Sequence, residues 1–339
     1  MTDAAPRSTP SRHWLRNILI GLLVFAMFLV VAGFLYENIA ESRDRRFNPM
    51  PGRLVDVGGR RMHIDCTGEG SPTVILDSGL GDTFLSWRKV QPEIAKVTRV
   101  CSYDRAGLGY SDSSSQPRTS QVIAEELHAL LQAASVQPPY IVVGHSMGGY
   151  DVRVYTNLYR SEVVGMVLVD ASHPDQENRF PRELKDMEGS WSREAEFLAY
   201  TSPFGIPRLL GFCDDQAVER AAECNFHSAR EAVAELNSFQ QSAAETASTG
   251  TLGDMLLAVL SHDPDKPSAD LPADLAMPTN EAWEKMQQEL AHLSTRGTQA
   301  IAKGSSHYIQ LDRPDIVVDA IRAVVDQARA AQPASAAHP

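Results

Sequence analysis

The feature that most limits what this chain can become is an alternation between residues 73 and 170. Short runs rich in β-branched residues end in glycine or aspartate: TVILDSG (73–79), RVCSYDRAG (99–107), YIVVG (140–144) and VVGMVLVD (163–170). Between them lie stretches of helical spacing: WRKVQPEIAKV, SQVIAEELHALLQAAS and GYDVRVYTNLYR. Strands that alternate with helices predict a mainly parallel sheet covered on both faces. In the second stretch Val122, Ile123, Leu127, Leu130 and Leu131 share one side, which makes it an amphipathic helix. Upstream, RLVDVGGRRMHIDCTG holds two short runs around Gly58-Gly59, a hairpin signal.

After Asp170 the alternation stops. Residues 176–250 hold helical stretches, no strand pattern, and the aromatics Trp191, Phe197, Tyr200, Phe204 and Phe212. It resumes with MLLAVLSHD (255–263), a helix NEAWEKMQQELAHLS opened by Asn280 as N-cap, a last strand TQAIAKGSSH (298–307) and a last helix. The Ala/Pro tail at 329–339 is expected to be disordered.

The N-terminus is different in kind. Residues 18–36, ILIGLLVFAMFLVVAGFLY, carry no charge. A helix of that length is about 28 Å long, close to the hydrocarbon thickness of a bilayer, and this one has no polar stripe. The rival reading is a cleaved signal peptide, whose apolar region is normally shorter. No A-x-A site follows, which favours an uncleaved signal anchor. Residues 1–17 read as a disordered N-terminus and 37–52 as a charged, Pro-containing linker. Arginines flank the span on both sides, so the positive-inside rule leaves its orientation nearly tied. Net charge is −12 with no long basic run, which argues against a nucleic-acid partner. The four cysteines, 66, 101, 213 and 224, form no C-x-x-C and no metal-ligand spacing. Their even number fits disulfides in an oxidising compartment, and equally four buried thiols. No cofactor or metal is implied.

Within the alternation, Gly144-His145-Ser146-Met147-Gly148 reads G-x-S-x-G between a strand and a helix. That context turns a common pentapeptide into a nucleophile elbow, in which a strained turn lifts Ser146 clear of the sheet. A serine hydroxyl needs a base. His307, in the loop after the last strand, would share the sheet edge with Ser146. His173 and His262 lie on that edge too. An acid must orient the base. Asp170, at its strand's end, Asp263 and Asp265 all satisfy the order Ser, acid, His. Donors for an oxyanion are the N–H groups of Met147, after the nucleophile, and Leu80, in the turn LDSGLGDTFLSW, with Gly81 as its neighbour.

Taken together, SGLGDTFLSW, YDRAGLGYSD (103–112), GHSMGG and the His307 loop resemble the α/β-hydrolase family, over about residues 53–328. The resemblance implies an eight-stranded sheet with the second strand antiparallel, a helical cap at about 176–250, and a bracing rather than catalytic role for Arg105. The family's usual G-x-x-D after the seventh strand is missing from SHDPD. Some members carry the acid at the end of the sixth strand, where Asp170 stands, so the acid stays open between Asp170 and Asp263. The implied topology also sets Cys66 beside Cys101 and places Cys213 with Cys224 in the cap, favouring two disulfides and an extracytoplasmic catalytic domain. The expected activity is ester or similar acyl hydrolysis on a small, partly apolar substrate. A C–C hydrolase, thioesterase or amidase on the same triad is the alternative. A ligand-binding protein that kept the fold is the non-enzymatic one.

Overall fold

The computed structural model of the chain describes residues 13–213, 217–266 and 271–331. The strands are β1 (Arg53–Asp56), β2 (Arg61–Thr67), β3 (Thr73–Asp77), β4 (Val100–Tyr103), β5 (Tyr140–His145), β6 (Val163–Val169), β7 (Leu256–His262) and β8 (Gly297–Ala302). They form one eight-stranded sheet in the order β1-β2-β4-β3-β5-β6-β7-β8. β2 runs antiparallel to both β1 and β4, and the pairings from β4 through β8 are parallel. The C-terminal ends of β3 to β8 therefore share one edge.

The helices in chain order begin with α1 (His13–Phe47), α2 (Gln91–Ile94), α3 (Ser120–Ala133) and α4 (Gly148–Leu158). Next come α5 (Gln176–Arg179), α6 (Arg182–Thr201), α7 (Ile206–Leu209), α8 (Ala217–Glu223) and α9 (Phe226–Ala247). The last are α10 (Ala273–Ala291), α11 (Ile309–Asp312) and α12 (Pro314–Ala331).

The central strands are buried on both faces, so successive residues serve two different cores. Val142 of β5 and Met166 and Leu168 of β6 join Leu127, Leu130 and Leu131 of α3 and Val152 and Tyr155 of α4. Their neighbours Ile141, Val143, Val167 and Val169 join Trp87, Ile94 and the α12 residues Val317, Ile321 and Val324. Each fully buried aliphatic side chain contributes roughly 1.5–3 kcal/mol. Two hydrophobic layers sandwich the sheet and hold its functional edge rigid. On its other margin Cys66 of β2 faces Cys101 of β4 in register, and the two are disulfide-bonded. Cys213 and Cys224 are bonded across an eleven-residue separation in the cap.

Four local expectations need correction. The charged stretch after residue 36 is not a linker over most of its length, because α1 continues to Phe47. Its charges are met by partners: Glu37 and Asp44 both bind Arg208 of the cap. Residues 13–17 likewise belong to α1, and 1–12 lie outside the described residues. Asn280 is no N-cap, since α10 starts at Ala273 and runs through Pro278; its amide is used elsewhere. In the tail, residues 329–331 finish α12 and 332–339 lie outside the described residues. Helices α5 to α9 fill the expected cap region; residues 214–216 and the Trp191 side chain lie outside the description.

Candidate active site

Ser146 follows β5 with φ +51°, a left-handed conformation that a non-glycine residue adopts only under local compulsion. The compulsion comes from hydrogen bonds and crowding. Ser146 N–H donates to Val169 O (3.3 Å), and Ser146 O accepts from Gly149 (3.0 Å) and Ser172 (2.9 Å). A Cβ on Gly144 would stand 2.4 Å from Gly148 O, and one on Gly148 would stand 2.6 Å from Ser78 O. The two glycines of the pentapeptide are thus required by the close approach of strand, helix and neighbouring turn. Ser146 itself is half-buried, and α4 starts two residues later.

His307 sits in the loop between β8 and α11, with its side chain 40% exposed. Its Nδ1 lies 2.6 Å from Asp170 Oδ2. Asp170, the residue after β6, also has a positive φ (+43°) and is fully buried. Its carboxylate accepts three further bonds: His262 Nδ1 on Oδ2 (2.8 Å), and His262 N–H (3.0 Å) and Trp283 Nε1–H (2.8 Å) on Oδ1. That fills about all the lone-pair sites a carboxylate offers. Burial works against its charge, but the hydrogen bonds from His262 and His307 prevail and hold it well below the usual carboxylate range. A saturated, ionised Asp170 fixes His307 with Nδ1 protonated and Nε2 bare, the tautomer that accepts a proton.

Asp263 has different company. Its carboxylate takes the Gly304 N–H (2.8 Å), Lys303 Nζ (2.9 Å) and the Asp265 N–H (3.2 Å), which push its pKa down to about 2. Asp265 pairs with Lys303 at 3.1 Å and is 86% exposed. The structure joins His307 to Asp170, and to neither of the other two. His173 bonds its own loop and faces Glu289 at 3.4 Å, away from Asp170.

No side-chain hydrogen bond holds Ser146 Oγ among the described residues. In unliganded enzymes such bonds are often long and tighten when substrate arrives. What links the serine segment to the His307 loop is His145, whose Nε2 reaches His307 O at 3.1 Å, with ring centroids 4.7 Å apart. A carbonyl only accepts, so His145 Nε2 carries the proton and Nδ1 is bare. Nδ1 faces Asp82 Oδ2 at 3.8 Å, and neither atom has a hydrogen-bond partner. Burial, aided by His307, pushes His145 down to about 3, and burial pushes Asp82 up to about 6.

The turn after β3 is braced by Arg105. Its guanidinium binds Asp77 Oδ1 (3.0 Å) and the carbonyls of Ser78 (2.7 Å) and Gly79. Glu235 of α9, fully buried, grips Arg105 through Nε (2.6 Å) and Nη2 (2.9 Å) and accepts the Gly81 N–H (2.8 Å). Among the described residues no protein acceptor takes the Leu80 or the Met147 N–H, the two donors expected to face an oxyanion.

Sequence reasoning missed Trp283, Asn280 and Glu235, and placed His262 only on the right edge. Asn280 Nδ2 donates to Pro264 O (3.0 Å), which turns its Oδ1 toward His262 Nε2 (3.2 Å). His262 therefore has an acceptor at each ring nitrogen, Asp170 and Asn280. That pair of acceptors calls for the doubly protonated ring; burial opposes its charge, and the Asp170 bond outweighs burial and raises its pKa. Nothing in the local sequence of α10 marks Trp283 or Asn280, because their partners lie 113 and 18 positions away.

Comparison with known proteins agrees with this geometry. Residues 72–202 match the family model described as alpha/beta hydrolase fold. The Bacillus subtilis protein YqjL is 27% identical over 250 residues, covering 74% of this chain and 82% of its own length. YbdG of the same organism is 25% identical over 164 residues, and the match spans only 48% of this chain and 50% of YbdG. Among solved structures, a thermophilic esterase from Thermogutta terrifontis superposes with a TM-score of 0.55 at 21% identity, over 82% of this chain and 99% of that one. With its strand order, its left-handed serine turn and these matches, the chain has the α/β-hydrolase fold.

Proposed function

We propose that this chain is a membrane-anchored serine hydrolase that cleaves a carboxylic ester or similar acyl substrate. The observation that carries the reading is the 2.6 Å contact between His307 Nδ1 and the buried Asp170, on the sheet edge where Ser146 stands in its strained turn. Ser146 Oγ attacks the carbonyl carbon while His307 Nε2 takes its proton. Charge gathers on the carbonyl oxygen, where the Met147 and Leu80 N–H groups stabilise it. The tetrahedral species collapses as His307 returns the proton to the leaving alcohol. Water, deprotonated by the same nitrogen, then releases the acid and restores Ser146. Asp170 stays ionised throughout and steadies the imidazolium that forms. Asp263 has no part in this scheme.

The anchor in this reading is α1. Its apolar part is long enough to cross a membrane, and none of its most apolar window is buried against the rest of the chain. The two disulfides support a catalytic domain on the oxidising, extracytoplasmic side.

The test is covalent labelling by a fluorophosphonate, followed by turnover of esters of graded chain length. Labelling of the native chain and not of Ser146→Ala is the expected result. A native chain that resists the probe and hydrolyses none of the esters would make the protein a binder that kept the fold.

A further inference from the structure

The cap does not hang free of α1; it grips the last turn of the uncharged run. A Cβ on Gly33 would stand 2.7 Å from Phe204 O, and a Cβ on Gly205 would meet the Tyr36 ring at the same distance. One turn further on, Glu37 is 3% exposed and binds Arg208 through both carboxylate oxygens, Nε at 3.0 Å and Nη2 at 3.1 Å. Arg208 also holds Asp44 at 2.6 Å and Cys224 O at 3.0 Å. Along α1 the partly covered or buried positions 33, 37, 40, 41 and 44 recur at helical spacing, so one face of the helix meets the cap.

This contact fixes the height of the cap. Gly33 precedes the end of the uncharged run by three residues, or about 4.5 Å of helix. If residues 18–36 span a bilayer, Phe204 and Gly205 stand at the level where acyl chains meet headgroups. The cap residues on either side of that contact are large, apolar and bare: Phe197 is 54% exposed, Tyr200 77%, Leu209 68%, Leu210 61% and Phe212 57%. Soluble surfaces seldom gather so many, whereas an interfacial surface calls for aromatic and leucine side chains beside a paired charge.

We infer that the cap is a membrane-docking surface, with residues 197–212 seated in the headgroup–acyl boundary of the bilayer that α1 crosses. The inference rests on the anchor reading and adds a second, peripheral contact to it. The occupant is lipid rather than another protein because these bare side chains flank the Phe204–Gly205 segment that packs directly on the membrane helix. The ion cluster at that junction, Glu37, Asp44 and Arg208, is satisfied within the chain. A cavity of about 630 Å³ opens at the same junction, lined by Glu37, Leu198, Pro207, Arg208 and Phe212.

The test uses the full chain in phosphatidylcholine–phosphatidylglycerol vesicles carrying a phosphatidylcholine with a diazirine in its acyl chain. After irradiation, adducts are mapped by mass spectrometry. Adducts are expected on residues 18–36 and also on 197–212. In a Leu209→Glu/Leu210→Glu variant the cap adducts should fall at least about tenfold relative to the span adducts, which stay unchanged. A labelled span with an unlabelled cap overturns the inference and leaves the anchor standing. An unlabelled span overturns both.

Discussion

The ends of β6 and β7 are neighbours in the sheet and each delivers an aspartate, yet they are chemically unlike. Asp170 is sealed under Trp283 and between two histidines, and all its acceptor capacity is used by groups from three distant segments. Asp263 is held by a lysine and by the backbone of its own rim, and it touches no histidine. Both carboxylates are kept ionised, one by an enclosed network and the other by a salt bridge and main-chain amides. A depressed pKa therefore does not identify the acid. What separates the two is whether the hydrogen bond orients a base.

The comparison can be broken most directly by Asp170→Asn, which keeps the shape but removes the charge and disturbs the tautomer of His307. Its kcat should fall on the order of 10³–10⁴-fold, with fold retained by circular dichroism. Asp263→Asn should stay within about threefold of the native chain, since it loses only a rim ion pair. The reverse ranking would move the triad acid to β7.

His262→Gln sharpens the same comparison with a smaller effect. It removes a ring that shares Asp170 Oδ2 with His307. Without that side-chain bond the carboxylate is held less firmly under His307, so kcat should fall about tenfold with the fold retained. A kcat within about twofold of the native chain would reduce His262 to packing.

The smallest expected effect concerns stability. His145, depressed to about 3, stays unprotonated in the fold while the unfolded chain takes up a proton below its ordinary value near 6.5. This contribution is lost as pH falls from about 6.5 toward 3. Asp82, raised to about 6, has the opposite sign: the folded state binds the extra proton between 6 and its ordinary value near 3.9, and stability rises as pH falls. The two largely cancel in the native chain. Asp82→Asn removes the compensation, so its stability should decline more steeply between pH 6 and 4, by up to about 1.4 kcal/mol per pH unit. Parallel urea denaturation curves for the two chains across that range would contradict the pairing.

Much of the sheet was legible because its signals are local. Alternating apolar runs, the glycines around Ser146 and the loop position of His307 each follow from a few adjacent residues. That His307 bonds Asp170 and not Asp263 was not, because the surroundings of that bond are built by Trp283, His262 and Asn280. Their hold on the site depends on how α10 lies across β7, which no short window encodes. The end of the first helix was misjudged for a related reason. Glu37 and Asp44 look like linker charges until Arg208, more than 160 positions later, neutralises them.

The buried Glu235–Arg105 pair has a consequence for how molecules reach Ser146. Swinging α9 away as a body would break the two charge-assisted bonds from Glu235 and leave Arg105 with Asp77 and two carbonyls, at a cost of about 3–5 kcal/mol. That limits a wide-open form to on the order of one molecule in 10² to 10⁴. The cap thus behaves as a fixed roof rather than a hinged door. A substrate of the proposed hydrolase would have to reach Ser146 beneath a roof that stays in place.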